Sequence, residues 1–136
     1  MVRVLADTHA LYWYLISPEQ LSPRSLEALG HAENSDGIAV SALSVPELWV
    51  AVTRKRGERA IPRSGYEIVR AALLDPETAL DVVPLDAHAW RHFEALPASL
   101  RDPTDGLIVS TAQALGLPLV TKDSQITAAR VIEVIW

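Results

Sequence analysis

The chain has 136 residues, and we expect residues 1–136 to form a single domain with a sizeable core. It has no cysteine, which excludes disulfides, cysteine–metal sites and thiol chemistry. Its net charge of −5 opposes nucleic-acid binding through bulk electrostatics. The longest apolar run, Ala10–Ile16, is too short to span a membrane, and the start of the chain lacks the pattern of a signal peptide, so we expect a cytoplasmic protein without membrane contact.

The first strand is predicted over Val2–Ala6, a largely apolar run that ends at Asp7. A helix is expected over Thr8–Ile16, with Asp7 or Thr8 as its cap and Ser17-Pro18 as its end. Ligands of open α/β sheets bind beyond the carboxyl ends of the strands. Asp7 stands at such an end, and we expect its strand to lie in the middle of the sheet.

Local signals place two more helices and a strand between them. Ser22-Pro23 is typical of an N-cap followed by proline in the first helical turn. A short strand is expected over Gly37–Val40, ending at Ser41. The segment Ser44–Glu47 resembles a capping box with proline in the first turn, and it predicts a helix that runs on to Gly57.

The middle of the chain contains two further helices around a brief strand. The apolar spacing predicts a helix over Arg63–Leu74. Its apolar face is expected to consist of Ile68, Val69, Ala72 and Leu73. A strand is predicted at Val82-Val83, and Asp86 is expected to cap a helix that ends before Pro97.

The clearest helix begins at Asp102-Pro103 and ends at Gly116, because aspartate and proline favour the start of a helix and glycine favours its end. A strand at Leu119–Thr121, a short helical turn after Asp123 and a last strand over Val131–Ile135 follow. Strands that alternate with helices predict an α/β fold, with a parallel sheet covered on both faces.

Four acidic residues have similar positions relative to the predicted strands. Asp7 and Asp123 follow strands, whereas Glu47 and Asp105 lie in the first turns of helices. Helices that follow strands begin near the carboxyl edge of the sheet, so topology brings three of the four together. Asp105 joins them if its helix approaches the fourth strand from the same edge. We therefore expect these residues to form one acidic cluster.

Clustered carboxylates repel one another, and a hard divalent cation such as Mg²⁺ or Mn²⁺ relieves the repulsion. Two such ions about 4 Å apart can stabilise the attacking and leaving oxygens of phosphodiester cleavage. Helix capping explains Asp7, Glu47 or Asp123 when each is taken singly, and Asp102 is better explained as a cap than as a ligand. The conjunction of four carboxylates at one edge favours catalysis with one or two metal ions.

Basic residues, absent motifs, histidine and tryptophan positions also bear on which classes of function fit the sequence. Five of the twelve Lys and Arg residues lie within Arg54–Arg63, which suits either a polyanionic substrate or a solvated helix end. The chain has no phosphate loop, dinucleotide fingerprint or Ser-His-Asp order. His9 either contacts substrate or covers the crevice. The four tryptophans are interpreted as core or interface residues rather than base-stacking platforms: Trp13, Trp49, Trp90 and Trp136.

The acidic segments resemble those of the PIN-domain family, and specifically the ribonuclease toxins of VapBC-type toxin–antitoxin pairs. Four segments carry the resemblance in the same order and spacing, over essentially the whole chain: Leu5–Leu11, Ser41–Leu48, Asp102–Ile108 and Leu119–Asp123. It implies a three-layer α/β/α fold with a central, mainly parallel sheet of about four to five strands. It also implies that the four acidic residues named above hold the metal.

The resemblance further implies a Mg²⁺- or Mn²⁺-dependent endoribonuclease that acts on RNA, is inhibited by a small cognate antitoxin and commonly forms a homodimer. Three basic residues are then candidates for contacts with RNA or antitoxin: Arg54, Arg56 and Arg59. Two positions depart from the family pattern. Gly106 stands where many relatives carry arginine, which removes a candidate phosphate contact, and Ser124 stands where a second acidic residue is frequent.

Other classes of protein remain as alternatives. A PIN-like protein that only binds a partner has the same fold without activity. A phosphoryl-accepting receiver domain would explain Asp7 and Lys122, but its phosphoryl-accepting aspartate ends a central strand, whereas Glu47 lies on a predicted helix. A haloacid-dehalogenase-like phosphatase would need a second aspartate two positions after Asp7, where this chain has His9.

Overall fold

The computed structural model describes residues 2–54 and 60–136. These residues form one sheet of five parallel strands in the order β3-β2-β1-β4-β5. The strands are β1 (Val4–Ala6), β2 (Ile38–Ser41), β3 (Leu80–Val83), β4 (Leu119–Val120) and β5 (Val134–Ile135). The central strand is β1, as the sequence predicts, and Asp7 follows it directly.

Helices connect the strands and cover both faces of the sheet. The described α-helices are α1 (Thr8–Ile16), α2 (Pro23–Glu33), α3 (Ser44–Thr53), α4 (Arg63–Leu74), α5 (Ala87–Glu94), α6 (Pro103–Leu115) and α7 (Ser124–Ala129). Short 3₁₀ turns lie at Pro18–Gln20 and Ala98–Leu100. None of the helices in the described part of the chain combines the length and apolarity needed to cross a membrane.

The alternation of side chains along the strands divides the core in two. Val4 and Ala6 of β1 point into a core that α1, α2, α3 and α4 cover. Leu5 points to the opposite side, where residues of α6 and α7 complete a second core. The protein is therefore a three-layer α/β/α sandwich, in agreement with the predicted fold class.

Local capping signals located several helix ends correctly. Ser22 caps α2 by accepting a hydrogen bond from the backbone N–H of Ser25, and Asp86 caps α5 in the same manner. Asp102 caps α6, and that helix ends at Gly116, whose φ of 66° is a left-handed conformation that glycine adopts without strain. These ends depend on short-range contacts, which is why the sequence reveals them.

The predicted capping box at Ser44 is wrong. Helix α3 begins at Ser44 itself, and Leu43 occupies the N-cap position without a side-chain capping hydrogen bond. The Ser44 hydroxyl is buried and shares a 2.8 Å hydrogen bond with the hydroxyl of Thr8. The helix also ends at Thr53, before the predicted end at Gly57, a residue that lies outside the described residues.

Other element predictions were wrong in detail. The third strand begins at Leu80 rather than Val82, and the fifth is confined to Val134–Ile135. In α4, Val69 is fully buried, but Ile68 is 55% exposed and does not belong to the apolar face. Trp90 is 65% exposed, so of the two predicted locations, core or interface, the core does not apply to it. Apolar character alone does not give the direction in which a side chain points.

Candidate active site

The predicted site residues lie at the carboxyl edge of the sheet or in helical turns next to it. Asp7 follows β1, and Asp123 follows β4 after two intervening residues. Glu47 lies in the first turn of α3, and Asp105 lies in the first turn of α6. Parallel strands end at the same edge, and helices running back along the sheet begin there.

The Asp7 carboxylate is fixed by two hydrogen bonds. Its Oδ1 accepts a 2.7 Å bond from the backbone N–H of Thr8 and so caps α1. Its Oδ2 accepts a 2.7 Å bond from the hydroxyl of Thr121, at the end of β4. The backbone N–H of Asp7 donates to the carbonyl of Val120, which ties the start of α1 to the neighbouring strand. Each carboxylate oxygen keeps a second lone pair for another partner.

Thr121 couples Asp7 to Asp123. Its hydroxyl donates to Asp7 and accepts a 3.1 Å hydrogen bond from the backbone N–H of Asp123. Asp123 caps α7 through Oδ1, which accepts from the backbone N–H groups of Gln125 and Ile126. The capping interpretation is therefore correct for both aspartates, and it leaves room for a second role. The sequence interpretation overlooked Thr121, although a threonine at the end of a buried strand was a usable signal.

Burial is the main influence on the pKa of Asp7. Desolvation raises the pKa of Asp7 above its ordinary value, and the negative charge of Asp123 raises it further. The hydrogen bonds from Thr121 and Thr8 and the proximity of His9 act in the opposite direction. Desolvation is the largest of these effects, so the ionised form of Asp7 is held at a cost that a bound cation would offset.

This shift predicts a pH dependence of folding stability in the metal-free protein. The pKa of Asp7 is higher in the folded chain than its ordinary value of 3.8, so folding favours the protonated form. The favourable contribution is present below about pH 4 and is lost as the pH rises through the raised pKa.

The wild-type protein should therefore lose stability relative to Asp7→Asn as the pH increases from 4 to neutrality, in a series of urea unfolding curves recorded without divalent cations. A difference between the two proteins that stays constant with pH would contradict the effect of burial.

Glu47 and Asp105 line a narrow cavity of about 200 Å³, which His9 also lines. Asp102 and Arg54 also line it, so a guanidinium lies at the edge of an acidic cavity. Asp102 caps α6 through Oδ1, as the sequence predicts. Of the three basic candidates, Arg54 is placed at the site, whereas Arg56 and Arg59 lie outside the described residues.

Asp7 and Asp123 line a wide cavity of about 600 Å³. Lys122 and Trp13 also line this cavity, and His9 contributes to the walls of both cavities. The expected acidic cluster is thus arranged as two pairs of carboxylates in adjoining cavities. Within residues 2–54 and 60–136, no three His, Asp or Glu side chains are close enough together to hold a single metal ion.

Gly106, directly after Asp105, is buried. A Cβ atom there would collide with the backbone carbonyl oxygen of Leu100 and would lie 2.6 Å from Cε2 of Phe93. The position therefore lacks a side chain for a packing reason, and an arginine would not simply add a phosphate contact. Close packing keeps α6 near the 3₁₀ turn and thereby sets the position of Asp105.

Gly106→Ala is expected to lower the free energy of unfolding by about 1–3 kcal/mol, because the added methyl group overpacks a rigid backbone contact. Gly30→Ala is the matched control, since a Cβ at Gly30 in α2 meets nothing within 4 Å. That variant should gain about 0.5–1 kcal/mol from the better helix propensity of alanine. Urea unfolding measures both variants, and equal effects would contradict the packing argument.

Comparison with known proteins agrees with this architecture. The family model described as the PIN domain matches residues 4–132. The chain is 35% identical to ribonuclease VapC22 of Mycobacterium tuberculosis, across 96% of this chain and 94% of the relative.

Solved structures with the same fold include VapBC2 from Rickettsia felis, bound to a DNA fragment from their promoter. Its TM-score is 0.69 at 15% identity, covering 98% of this chain and 97% of that chain. VapBC-5, a toxin–antitoxin system member from M. tuberculosis, has a TM-score of 0.65 at 19% identity, covering 99% of this chain and 98% of that chain. The family match and the identity to VapC22 show that the chain belongs to the PIN-domain family, as a VapC-type member.

Proposed function

We propose that this protein is the toxin of a VapBC-type toxin–antitoxin pair and a divalent-metal-dependent endoribonuclease. The observation that carries the proposal is the pair of acidic cavities that meet at His9, with a carboxylate from four different parts of the chain. The name of the relative VapC22, a ribonuclease, supports the same activity. The proposal treats residues 1–136 as one PIN domain that acts in the cytoplasm, where its RNA substrate is found.

The donor set fits Mg²⁺ or Mn²⁺. All four proposed ligands are carboxylates, and hard divalent cations prefer oxygen ligands. Mg²⁺ usually keeps several waters and takes one or two protein carboxylates. Asp7 and Asp123 line the same cavity, and two carboxylates with bound waters are enough to hold a Mg²⁺ ion. A third protein ligand is therefore not required. Glu47 and Asp105 would complete the site from the adjoining cavity, for one ion or two.

The four carboxylates divide two tasks in this proposal, holding the cation and orienting the attacking water. Asp7, held by Thr8 and Thr121, presents a fixed negative charge at the centre of the sheet edge. Asp105 and Asp123 would hold the cation together with Asp7, and Glu47 orients the attacking water and accepts its proton. A bound divalent cation would supply electrostatic stabilisation of the charge that develops on the phosphate.

Basic side chains flank the two cavities. Arg54 at the narrow cavity and Lys122 at the wide one bind phosphates of the RNA strand on either side of the cleaved bond. Their placement allows an acidic protein to hold a polyanion locally.

The proposed partners are RNA, a small cognate antitoxin and a second copy of this chain in a homodimer. The solved neighbours support an antitoxin partner, because they are VapBC proteins of toxin–antitoxin systems. Arg54 is accessible at the rim of the narrow cavity and suits contact with either RNA or antitoxin. Arg56 and Arg59 are proposed for the same role from their position in the sequence.

The test is RNA cleavage by the purified protein after removal of any co-purified antitoxin. We expect single-stranded RNA to be cut in Mg²⁺ or Mn²⁺, with no cutting in excess chelator and suppression when antitoxin is added back. If no RNA is cut in either metal, the ribonuclease proposal fails and the chain is a PIN-like protein that only binds its partner. Cleavage that persists in chelator would reject the metal requirement alone.

A further inference from the structure

The wide cavity beside Asp7 and Asp123 has an aromatic wall. Trp13 of α1 is partly buried, and its ring packs against the core while also lining the cavity. The ring of His9 lies 5.8 Å from that of Trp13, at an interplanar angle of 55°. Trp136 supports the indole from another side at 5.9 Å. An indole held between other rings is a rigid surface that loses little entropy when a flat ligand stacks on it.

Positive charge lies at the rim of the same cavity. The ammonium group of Lys122 is 5.9 Å from the centre of the Trp13 ring, and the Lys122 side chain is exposed. Gln20, also exposed, contributes an amide with both donor and acceptor atoms. The cavity therefore combines a flat aromatic wall, a cationic rim and an acidic floor.

We propose that the part of this cavity walled by Trp13 is a base subsite, which takes the nucleobase of one nucleotide of the RNA strand next to the cleaved phosphodiester. The base stacks on Trp13, and Lys122 contacts the adjoining phosphate. Gln20 hydrogen-bonds the edge of the base and sets its preference among bases. This inference rests on the proposed function, and it assigns Trp13 a role in substrate binding rather than only in the core.

Charge and size favour this occupant. Asp7 and Asp123 are the proposed ligands of the cation, so their part of the cavity suits the cleaved phosphate, and the neutral ring of a base fits against Trp13 beside it. Lys122 at the rim suits the phosphate that is joined to the ring through its sugar. The cavity volume of about 600 Å³ lies within the range that small ligands occupy in proteins. The opposite cavity is lined by Arg54 but has no tryptophan among its described lining residues.

The first experiment is an abasic scan of RNA binding. A short fluorescent single-stranded RNA is titrated with protein in excess chelator, and an abasic nucleotide replaces each position in turn. We expect one or two positions at which loss of the base weakens binding to wild-type protein by about tenfold, the size typical of one base–aromatic stack. Trp13→Leu should bind the intact RNA about tenfold more weakly and lose the sensitivity at those positions.

Trp13→Phe keeps a ring and should retain most of the affinity. Trp90→Leu removes an exposed tryptophan from α5 and should change neither the affinity nor the abasic profile. Because Trp13→Leu could disturb the core, wild-type protein is also irradiated with RNA that carries 5-iodouridine at the sensitive position. A crosslink in the peptide that contains Trp13 supports stacking without any substitution.

The subsite is overturned if wild-type and Trp13→Leu give the same abasic profile, or if the iodouridine crosslinks elsewhere. Failure of the proposed function is a separate outcome, because binding is measured in chelator and cleavage in Mn²⁺. A protein that cleaves RNA but shows a flat abasic profile rejects the base subsite alone. A protein that cuts no RNA rejects the ribonuclease proposal, whatever the profile.

Discussion

Asp7→Asn is expected to reduce the rate of RNA cleavage by about a thousandfold, which corresponds to ~4 kcal/mol of transition-state stabilisation. The amide has the shape of the carboxylate and an oxygen that can still accept a hydrogen bond from Thr8 or Thr121. It lacks the negative charge that the proposed cation needs. Asp105→Asn should have an effect of similar size for the same reason. Initial cleavage rates in Mn²⁺ at a fixed protein concentration provide the measurement.

Asp86→Asn is the matched control, because Asp86 caps α5 through its side chain and asparagine is an equally good cap. Its cleavage rate should match that of the wild-type protein. Rates for Asp7→Asn and Asp105→Asn equal to that of the control would reject the assigned carboxylates.

Asp123→Asn separates capping from catalysis at the fourth position. Asparagine preserves the cap on α7, so the variant should keep the wild-type stability. If Asp123 only caps the helix, its cleavage rate stays at the wild-type level. If Asp123 takes part in the metal site, the rate falls by tenfold or more. The proposed function requires the second result, and circular dichroism checks the fold of the variant.

Mn²⁺ is expected to stabilise the wild-type protein against heat and to leave Asp7→Asn unchanged. A ligand present at a hundredfold excess over its dissociation constant adds about 2.7 kcal/mol to the free energy of unfolding. In a protein of this size, that corresponds to a rise in melting temperature on the order of 10 °C. The carboxylate of Asp7 is desolvated and lies near Asp123, so a bound cation would stabilise its charge.

Thermal unfolding with and without Mn²⁺ tests this expectation, and it requires no RNA. Asp86→Asn should show the full rise in melting temperature. An equal rise in Asp7→Asn would show that the ion binds elsewhere, and the site assignment would be wrong even if the protein cleaves RNA. The experiment therefore separates metal binding at Asp7 from catalysis.

Much of the fold was predictable from the sequence because it depends on contacts between residues that are close together in the chain. The cap of α6 at Asp102 and its end at Gly116 depend on neighbours within one helical turn. The helix over Arg63–Leu74 was predicted with its observed ends. Alternation of strands and helices gave the parallel sheet, and topology then placed Asp7 at the end of a central strand.

Contacts between distant segments were not predictable in this way. The Ser44 hydroxyl pairs with Thr8, 36 residues away, instead of capping its own helix. Thr121 reaches Asp7 across 114 residues. The sequence pattern does not indicate either hydrogen-bond partner, because both pairings depend on which strands are neighbours in the sheet and where those strands end.

By itself, the sequence determined the α/β fold class and the placement of Asp7, Glu47 and Asp123 near one edge of the sheet, whereas Asp105 joined them on the assumption that its helix begins at the same edge. Periodicity, capping and the parallel arrangement of strands are local or topological properties, and they are sufficient for those conclusions. Only the tertiary structure decided that the carboxylates line two cavities, both of which His9 also lines, and that Trp13 lines one of them. Those features depend on the directions in which side chains of packed helices point, and these directions are set by contacts across the whole fold.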